Sequence, residues 1–195
     1  EMSSPVTAYE SCSRLSTYLA FGSISLREVY QLAQARKVAI YDQMPPGSPW
    51  RSSARSFLSR LRWHCHFIQK LEDEPTIELK NLHPAIDGLR EGQFNWAHFE
   101  AWKEGRTGYP FIDACMRALR ATGWINFRMR AMLVSFSSNH LWLHWREPSL
   151  HLAQLFLDYE PGIHYSQMQM QSGATGINAI RIYNPIKQSI DQDPE

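Results

Sequence analysis

A short segment near the start of the chain carries groups that can hold a phosphate. It runs Cys12-Ser13-Arg14-Leu15-Ser16 and places two hydroxyls and one guanidinium within five residues. Serines at the start of a helix often do no more than cap backbone N–H groups. Hydroxyls and a guanidinium at such a helix start also bind phosphate or pyrophosphate. The segment therefore indicates either a plain helix start or an anion site.

Arginine and tryptophan are concentrated in two further parts of the chain. The net charge of the 195 residues is only +1, with 20 Lys and Arg against 19 Asp and Glu, which excludes a uniformly basic protein. Residues 43–71 nevertheless hold five basic residues and no carboxylate, and residues 105–146 hold six arginines against Asp113 alone. Trp63, Trp124 and Trp145 lie in the same stretches. This clustering favours a nucleotide cofactor or a nucleic acid over a merely solvated helix face.

Other patterns exclude several functional classes. The sequence has no GxGxxG, Walker, GxSxG or HExxH motif, so Rossmann, P-loop and common hydrolase functions have no support. His140 and His144 stand one helical turn apart without a third ligand, so we expect packed histidines and no metal. The 3 cysteines form no CxxC pair, which indicates a reducing compartment. Since no apolar run reaches membrane-spanning length, we expect an intracellular, cytoplasmic protein without a membrane partner.

Helical patterns dominate the segments that must position these residues. Ser25-Leu26-Arg27-Glu28 is a capping box, and no run of residues reads as a strand. We expect helices from Ser25, over 52–71, from Asn95, from Pro110, over 126–142 and over 149–159. No clean period follows Gly162. The sequence therefore predicts one all-α domain over residues 1–195.

A series of motifs resembles the photolyase and cryptochrome flavoproteins. In order, they are SRLS at 13–16, LAFGSIS at 19–25, LRW at 61–63, WKEGRTGYP at 102–110, DACMR at 113–117, TGW at 122–124, RMR at 128–130, WRE at 145–147, DYE at 158–160 and RIYNP at 181–185. The match covers only the helical FAD-binding half of such proteins. We therefore expect a fragment, cut at both ends and ending at Asp193-Pro194-Glu195, that lacks the family's N-terminal α/β antenna domain.

The resemblance implies that FAD is bound in a U shape in a central cavity. Residues 12–16 would hold its pyrophosphate, Arg130 and Asp158 would pair beside the isoalloxazine ring, and His164 would lie near atom N5. The expected FAD contacts are Cys12, Ser13, Arg14, Leu15, Ser16, His64, Trp124, Phe127, Arg130, Asp158, Glu160 and His164.

The resemblance also implies light-driven chemistry on damaged DNA. Excited reduced FAD would pass an electron to a pyrimidine dimer flipped out of the duplex, and the two basic stretches would bind the DNA backbone. Trp145 and Trp102 match the outer members of the tryptophan chain that photoreduces the flavin from the surface. The expected catalytic residues are Trp63, His164, Trp145, Trp102, Met168 and Met170. The expected DNA contacts are Arg60, Trp63, Arg128 and Met170.

The chain departs from the family pattern at several functional positions. Met168-Gln169-Met170 replaces a W-Q-W motif, so an electron from Trp145 would cross a longer gap. Arg60 replaces a glutamate that faces the lesion, and Phe127 replaces an asparagine. His164 stands where many repair enzymes have asparagine, and its ordinary pKa near 6.5 suggests an altered flavin protonation and redox state.

These observations favour a monomeric DNA-repair flavoprotein, with two alternatives left open. Trp63, Arg130, Asp158 and the basic stretches suit light-driven repair of pyrimidine photoproducts. Arg60, Phe127 and the Met168-Gln169-Met170 segment suit a blue-light or redox signalling flavoprotein without repair activity. The third alternative is an interaction domain that keeps the helical scaffold without the cofactor.

Overall fold

The computed structural model describes residue 2 and residues 4–177 and 179–193. Pro194 and Glu195, where we expect the domain to be cut short, lie outside these residues. The helices are α1 (Ala8–Ser11), α2 (Ser16–Ala20), α3 (Leu26–Gln43), α4 (Pro49–Asp73), α5 (Trp96–Glu104), α6 (Pro110–Thr122), α7 (Phe127–Ser135), α8 (Arg146–Leu155), α9 (Pro161–Ser172) and α10 (Pro185–Gln192). Short 3-10 turns at Pro75–Glu78, Pro84–Ile86 and Glu91–Gln93 connect α4 to α5. The described residues form no strand, and the all-α prediction is confirmed.

Local capping explains why these helices begin where they do. Ser25 accepts a hydrogen bond from the Glu28 N–H, as the capping box predicts, and Asn95 accepts one from His98. Proline occupies the first turn of α4, α6, α9 and α10, where its missing N–H costs no hydrogen bond.

The prediction of a regular helix over 126–142 is wrong in its second half. Regular α7 ends at Ser135, and a π-helical turn follows over Phe136–His140. Ser137 is buried, and its hydroxyl bonds back to the Val134 carbonyl. Such side-chain bonds compete with the regular helical pattern. Trp142, at φ 57°, then turns the chain out of the helix.

The helix expected over 149–159 instead spans Arg146–Leu155, and the segment after Gly162 is helical. Pro148 lies in the first turn of α8, a position that tolerates proline. Glu160 caps α9 by accepting hydrogen bonds from Gly162 and Ile163, and Pro161 opens the helix. The tail has little apolar periodicity because α9 is buried around most of its circumference.

Two apolar clusters hold the helices together. The larger cluster is built by α5 to α9 around fully buried side chains such as Trp102, Met132 and Leu152. The smaller cluster joins α3 to α4 through Val29, Leu58 and Leu61. Helix α4 also crosses α9 closely, because a Cβ on Gly162 would come within 2.7 Å of the Phe67 carbonyl oxygen.

Among the described residues, no helix combines the length and the apolar composition that a membrane crossing requires. The same part of the chain holds no group of three or more His, Cys, Asp or Glu side chains arranged to bind a metal ion.

Candidate functional site: a dinucleotide-sized cavity

A cavity of about 660 Å³ lies between the N-terminal turns, α4, α7 and α9. Its volume falls within the usual range for small-molecule and cofactor sites. It is lined by all twelve residues that the sequence assigns to FAD contact: Cys12, Ser13, Arg14, Leu15, Ser16, His64, Trp124, Phe127, Arg130, Asp158, Glu160 and His164. The structure thus brings together residues from both ends of the chain.

The turn that precedes α2 forms part of the cavity wall. The N-cap residue of α2 is Leu15, which has no side-chain capping bond. Neither Ser13 nor Ser16 therefore caps this helix. Both serines are exposed. Arg14 adopts φ 55°, in the left-handed region, and its guanidinium lies 4.7 Å from the Trp124 ring and 4.9 Å from the Tyr9 ring. Stacking on two rings holds the cation without a carboxylate, which leaves its N–H groups available to an anion.

A second charged group in the cavity wall is a bidentate ion pair between Arg130 and Asp158. Arg130 donates from Nη1 to Asp158 Oδ1 at 2.9 Å and from Nη2 to Oδ2 at 2.8 Å. Its Nε donates to the Ile125 carbonyl at 2.8 Å, and its guanidinium lies 4.2 Å from the Phe156 ring. The Asp158 side chain is 4% exposed and that of Arg130 is 21% exposed. All these contacts fix the cation in one orientation, as stabilisation of a charged or polarised ring requires.

His164 also lines the cavity, and its pKa differs from the ordinary histidine value near 6.5. Its side chain is buried, and burial lowers its pKa to about 4. Ring atom Nε2 lies 2.9 Å from the carbonyl oxygen of Ser149 and 3.0 Å from its hydroxyl. The rings of Tyr159 and Tyr165 pack against it, each at 5.2 Å between centroids. His164 is therefore neutral at physiological pH.

Glu160 has a structural role that the family resemblance does not predict. Its carboxylate accepts hydrogen bonds from the N–H groups of Gly162, at 3.2 Å, and Ile163, at 2.8 Å. These bonds cap the start of α9. Because α9 carries His164 and Met168, Glu160 positions the cavity wall as well as lining it.

Exposed residues mark the opening of the cavity. Trp63 is 46% exposed and Phe127 is 56% exposed, and Arg60 is exposed as well. Met170 is partly buried, and Met168 has only 3% of its surface exposed. The expected DNA contacts Arg60, Trp63 and Met170 therefore line the same cavity.

Arg128, expected among the DNA contacts, does not line the cavity. It is partly buried, and its Nε atom has no hydrogen-bond partner among the described residues.

Trp102 and Trp145 lie outside the cavity lining, in the interior of the larger core. They are 0% and 1% exposed. The outer members of a photoreduction chain are expected to reach the surface, and neither of these two tryptophans does. Trp145 donates to Asn81 Oδ1 at 2.7 Å. Trp102 stacks on Phe99 at 6.2 Å, and Phe99 contacts the 60% exposed Trp96 at 5.9 Å. In this group of three rings, Trp96 is the residue that is exposed to solvent.

Many arginines of the two basic stretches are bound to protein groups instead of facing the cavity. Arg51 donates to the Tyr41 carbonyl at 2.6 Å, and Arg117 donates to the Gly105 carbonyl at 2.6 Å. Arg62 donates to the Tyr30 hydroxyl, and Arg106 pairs with Glu104. The basic composition therefore overstates the positive charge available to a ligand.

Sequence reasoning missed part of the cavity wall. The missed lining residues are Phe67, Ile125, Asn126, Ala131, Val134, Phe156, Tyr159, Ile163, Gln167, Gln171 and Arg181. Arg181 is the one additional cation among them and belongs to the RIYNP motif, which gave the only signal for it. The apolar members gave none, because apolar residues on a helix face equally predict an ordinary core.

The cavity wall carries groups that suit both halves of a flavin dinucleotide. Hydroxyls and a stacked guanidinium suit a pyrophosphate. Phe156, Tyr159 and the oriented Arg130 suit a flat ring with polar edges. When FAD is bound, it supplies the light-absorbing redox group, whereas the residues here bind it and orient it.

Comparisons with known proteins agree with this geometry. The family described as the FAD binding domain of DNA photolyase matches residues 57–195. A deoxyribodipyrimidine photo-lyase of Escherichia coli K12 is 32% identical over 191 residues, which cover 96% of this chain and 39% of that protein.

Solved structures are similar over the same part of the chain. The archaeal photolyase of Sulfolobus tokodaii, crystallised with two FAD molecules, is similar with a TM-score of 0.76 and 35% identity, over 93% of this chain and 38% of that one. The cryptochrome of Synechocystis sp. PCC6803 gives a TM-score of 0.75 at 27% identity, over 93% of this chain and 36% of that one. This chain thus spans well under half the length of these relatives. It belongs to the family of DNA photolyase FAD-binding domains, and its cofactor is FAD.

Proposed function

We propose that this domain performs light-dependent electron transfer from reduced FAD to pyrimidine photoproducts in DNA, and that it works as a monomer. The observation that carries this proposal is the shared cavity. Buried residues suited to the flavin ring and the exposed Trp63 and Arg60 line one and the same cavity. A nucleotide flipped out of DNA would enter there and lie against the bound cofactor.

The opening supplies the contacts that such a nucleotide needs. The exposed face of Trp63 offers a stacking surface for a base. Arg60 and Arg181 are both exposed at the cavity and offer guanidinium groups to backbone phosphates. The relatives named deoxyribodipyrimidine photo-lyase support the same substrate class.

A second candidate function is blue-light or redox signalling without repair. The observation that favours it is Met168, which lies in the cavity wall where the family has a tryptophan. Methionine is far harder to oxidise than indole, so the flavin would be reduced by a different route. The similarity to a solved cryptochrome is compatible with this candidate.

A repair assay distinguishes the two functions. The FAD-loaded protein would be illuminated with blue light under reducing conditions, in the presence of an oligonucleotide with one thymine dimer. The proposal predicts restored thymines, and it predicts much slower repair by Trp63→Ala at unchanged FAD content. Trp50→Ala is the matched control, because Trp50 is 61% exposed on the same helix but lies outside the cavity lining. FAD-loaded protein that restores no thymine at any light dose would exclude repair and leave signalling.

A further inference from the structure

A second cavity, of about 430 Å³, lies between α3 and α4. None of the described residues that line it also lines the larger cavity. Its volume is within the usual range for small-molecule sites, and it is about two thirds of the 660 Å³ of the larger cavity. Since the larger cavity suits a dinucleotide, the smaller one has room for a ligand about the size of a mononucleotide.

Part of the lining of this second cavity is apolar and aromatic. Leu26 of α3 and Leu61 of α4 line it, and both belong to the apolar cluster that joins these helices. Tyr30 also lines it. Its hydroxyl accepts hydrogen bonds from Gln34 Nε2 at 2.8 Å and from Arg62 Nη2 at 3.1 Å, which hold the phenol ring in place. A flat ring can pack against such a surface.

The charged side chains in the lining are two exposed arginines, Arg27 and Arg62, and no carboxylate lines the cavity. The hydrogen bond of Arg62 goes to the Tyr30 hydroxyl, which carries no charge. Neither arginine forms an ion pair with the part of the chain that the structure describes. Two guanidiniums without counter-charges match a phosphate monoester, which carries about −1.5 to −2 charges at pH 7.

The second cavity lies on a different side of α4 from the residues that we assign to DNA. Arg60 lines the larger cavity and Arg62 lines the smaller one. Two residues apart on a helix correspond to a rotation of about 200° around its axis. Leu61, Cys65 and Gln69, spaced by four residues, follow the side that faces the smaller cavity. A DNA strand bound at Arg60 would therefore lie on another side of the helix, which favours a free ligand for this cavity.

We propose that the cavity between α3 and α4 is a second ligand site, which binds a free mononucleotide. Its phosphate binds the guanidiniums of Arg27 and Arg62. Its base packs against Leu26, Leu61 and the ring of Tyr30. The inference goes beyond the proposed function and does not depend on DNA repair.

Calorimetric titration of AMP into the FAD-loaded protein tests the site. FAD occupies the larger cavity in this experiment, so that AMP cannot bind there. We expect one AMP to bind per chain, and we expect Arg27→Gln/Arg62→Gln to weaken binding by at least about tenfold, because hydrogen bonds to a charged group are lost. Arg36→Gln/Arg55→Gln is the matched control, since it removes one exposed arginine from each of the same helices and neither lines a cavity.

A second pair of variants separates the space in the cavity from its charge. Cys65 is exposed and lines the cavity, so Cys65→Phe fills part of it while both arginines remain. We expect Cys65→Phe to weaken AMP binding by at least about tenfold, since the ligand loses its space. Cys65→Ser should bind AMP like the unmodified protein. Circular dichroism and FAD content establish that each variant is folded and loaded.

Three results would overturn the inference. The first is an FAD-loaded protein that does not bind AMP, and the second is an equal loss of AMP binding in the control pair of arginines. The third is a protein that does not bind AMP but loses affinity for an undamaged oligonucleotide in Arg27→Gln/Arg62→Gln, because these arginines would then belong to a DNA-binding surface. Repair of a thymine dimer by Cys65→Phe should equal that of the unmodified protein, so the two proposals fail separately.

Discussion

At the scale of single residues, the cavity depends on polar groups whose partners are fixed inside the protein. The Arg130 guanidinium forms hydrogen bonds with Asp158 and the Ile125 carbonyl and packs on the Phe156 ring, so its orientation is fixed. The His164 ring is fixed in the same way by its contact with the Ser149 carbonyl. A buried polar group without a partner costs free energy, so these contacts are kept and the pocket has the same arrangement of charges before a ligand binds.

Removal of the acid from the ion pair should destabilise the fold. Asp158→Asn leaves the mostly buried Arg130 without its counter-charge, and we expect the free energy of unfolding to fall by about 3 kcal/mol. Urea denaturation measures this change. Glu104→Gln is the control, because it breaks the exposed pair with Arg106 and should have no measurable effect. Equal effects of the two substitutions would contradict the structural role of Asp158.

Acid should destabilise the protein partly through His164. Its pKa is lowered on folding to about 4, so between about pH 6.5 and pH 4 the unfolded chain binds a proton that the folded chain does not. Stability should therefore fall as the pH falls through this window. His151, whose pKa is also lowered to about 4 by burial, adds to the slope. Urea midpoints between pH 7.5 and pH 4.5 measure the effect.

In that measurement, His164→Asn should flatten the pH dependence. His98→Asn should leave it as it is, because His98 is exposed. An unchanged slope in His164→Asn would show that the imidazole is not held neutral by the fold.

At the scale of helices, the crossing of α4 and α9 sets the width of the cavity. Gly162 lies at the contact point, and an added Cβ would meet the Phe67 carbonyl oxygen at 2.7 Å and Ile68 Cα at 2.8 Å. Both are backbone atoms, which cannot swing aside. The two helices could accept a larger residue only if they moved apart.

Gly162→Ala should therefore cost stability and FAD binding together. We expect a loss of about 2 kcal/mol in the free energy of unfolding and a reduced FAD content, measured by denaturation and by flavin absorbance. Gly92→Ala is the matched control, since a Cβ there meets no atom within 4 Å. If Gly162→Ala kept both properties, the close crossing would not matter for the site.

The helices also show how much of the fold follows from the sequence. Capping residues such as Ser25 and Asn95 predicted helix starts well, because a cap is a local interaction. The π-helical turn at Phe136–His140 was not predictable, since it depends on the burial of Phe136, Ser137 and Ser138. Helix α9 was missed because burial on most sides removes the apolar period that marks a surface helix.

For the site, the sequence predicted which residues line the cavity better than it predicted what each of them does. All twelve residues that the resemblance assigns to the cofactor line the cavity. The roles of Glu160 as a helix cap and of Ser149 as the partner of His164 needed coordinates, because both depend on which atoms face each other.

At the scale of the whole molecule, the cavity is lined by residues that lie far apart in the chain. Ser13 and Ser16 line it from the N-terminal turns, and Asp158 and His164 line it from the segment around α9. The larger apolar core belongs to α5–α9, whereas the N-terminal turns contribute only Leu15 and Leu19 to the smaller cluster. Changes at the serines should therefore affect the ligand far more than the fold.

The dissociation constant of FAD in a double-serine variant tests the central claim most directly. Ser13→Ala/Ser16→Ala removes both hydroxyls that we assign to the pyrophosphate, and we predict weaker FAD binding by at least about tenfold, since a hydrogen bond to a charged group contributes about 1.5–3 kcal/mol. Ser53→Ala/Ser59→Ala, at two exposed positions of α4 outside the cavity lining, should bind FAD like the unmodified protein. Equal FAD affinity in all three proteins would contradict the assignment of this cavity to the cofactor.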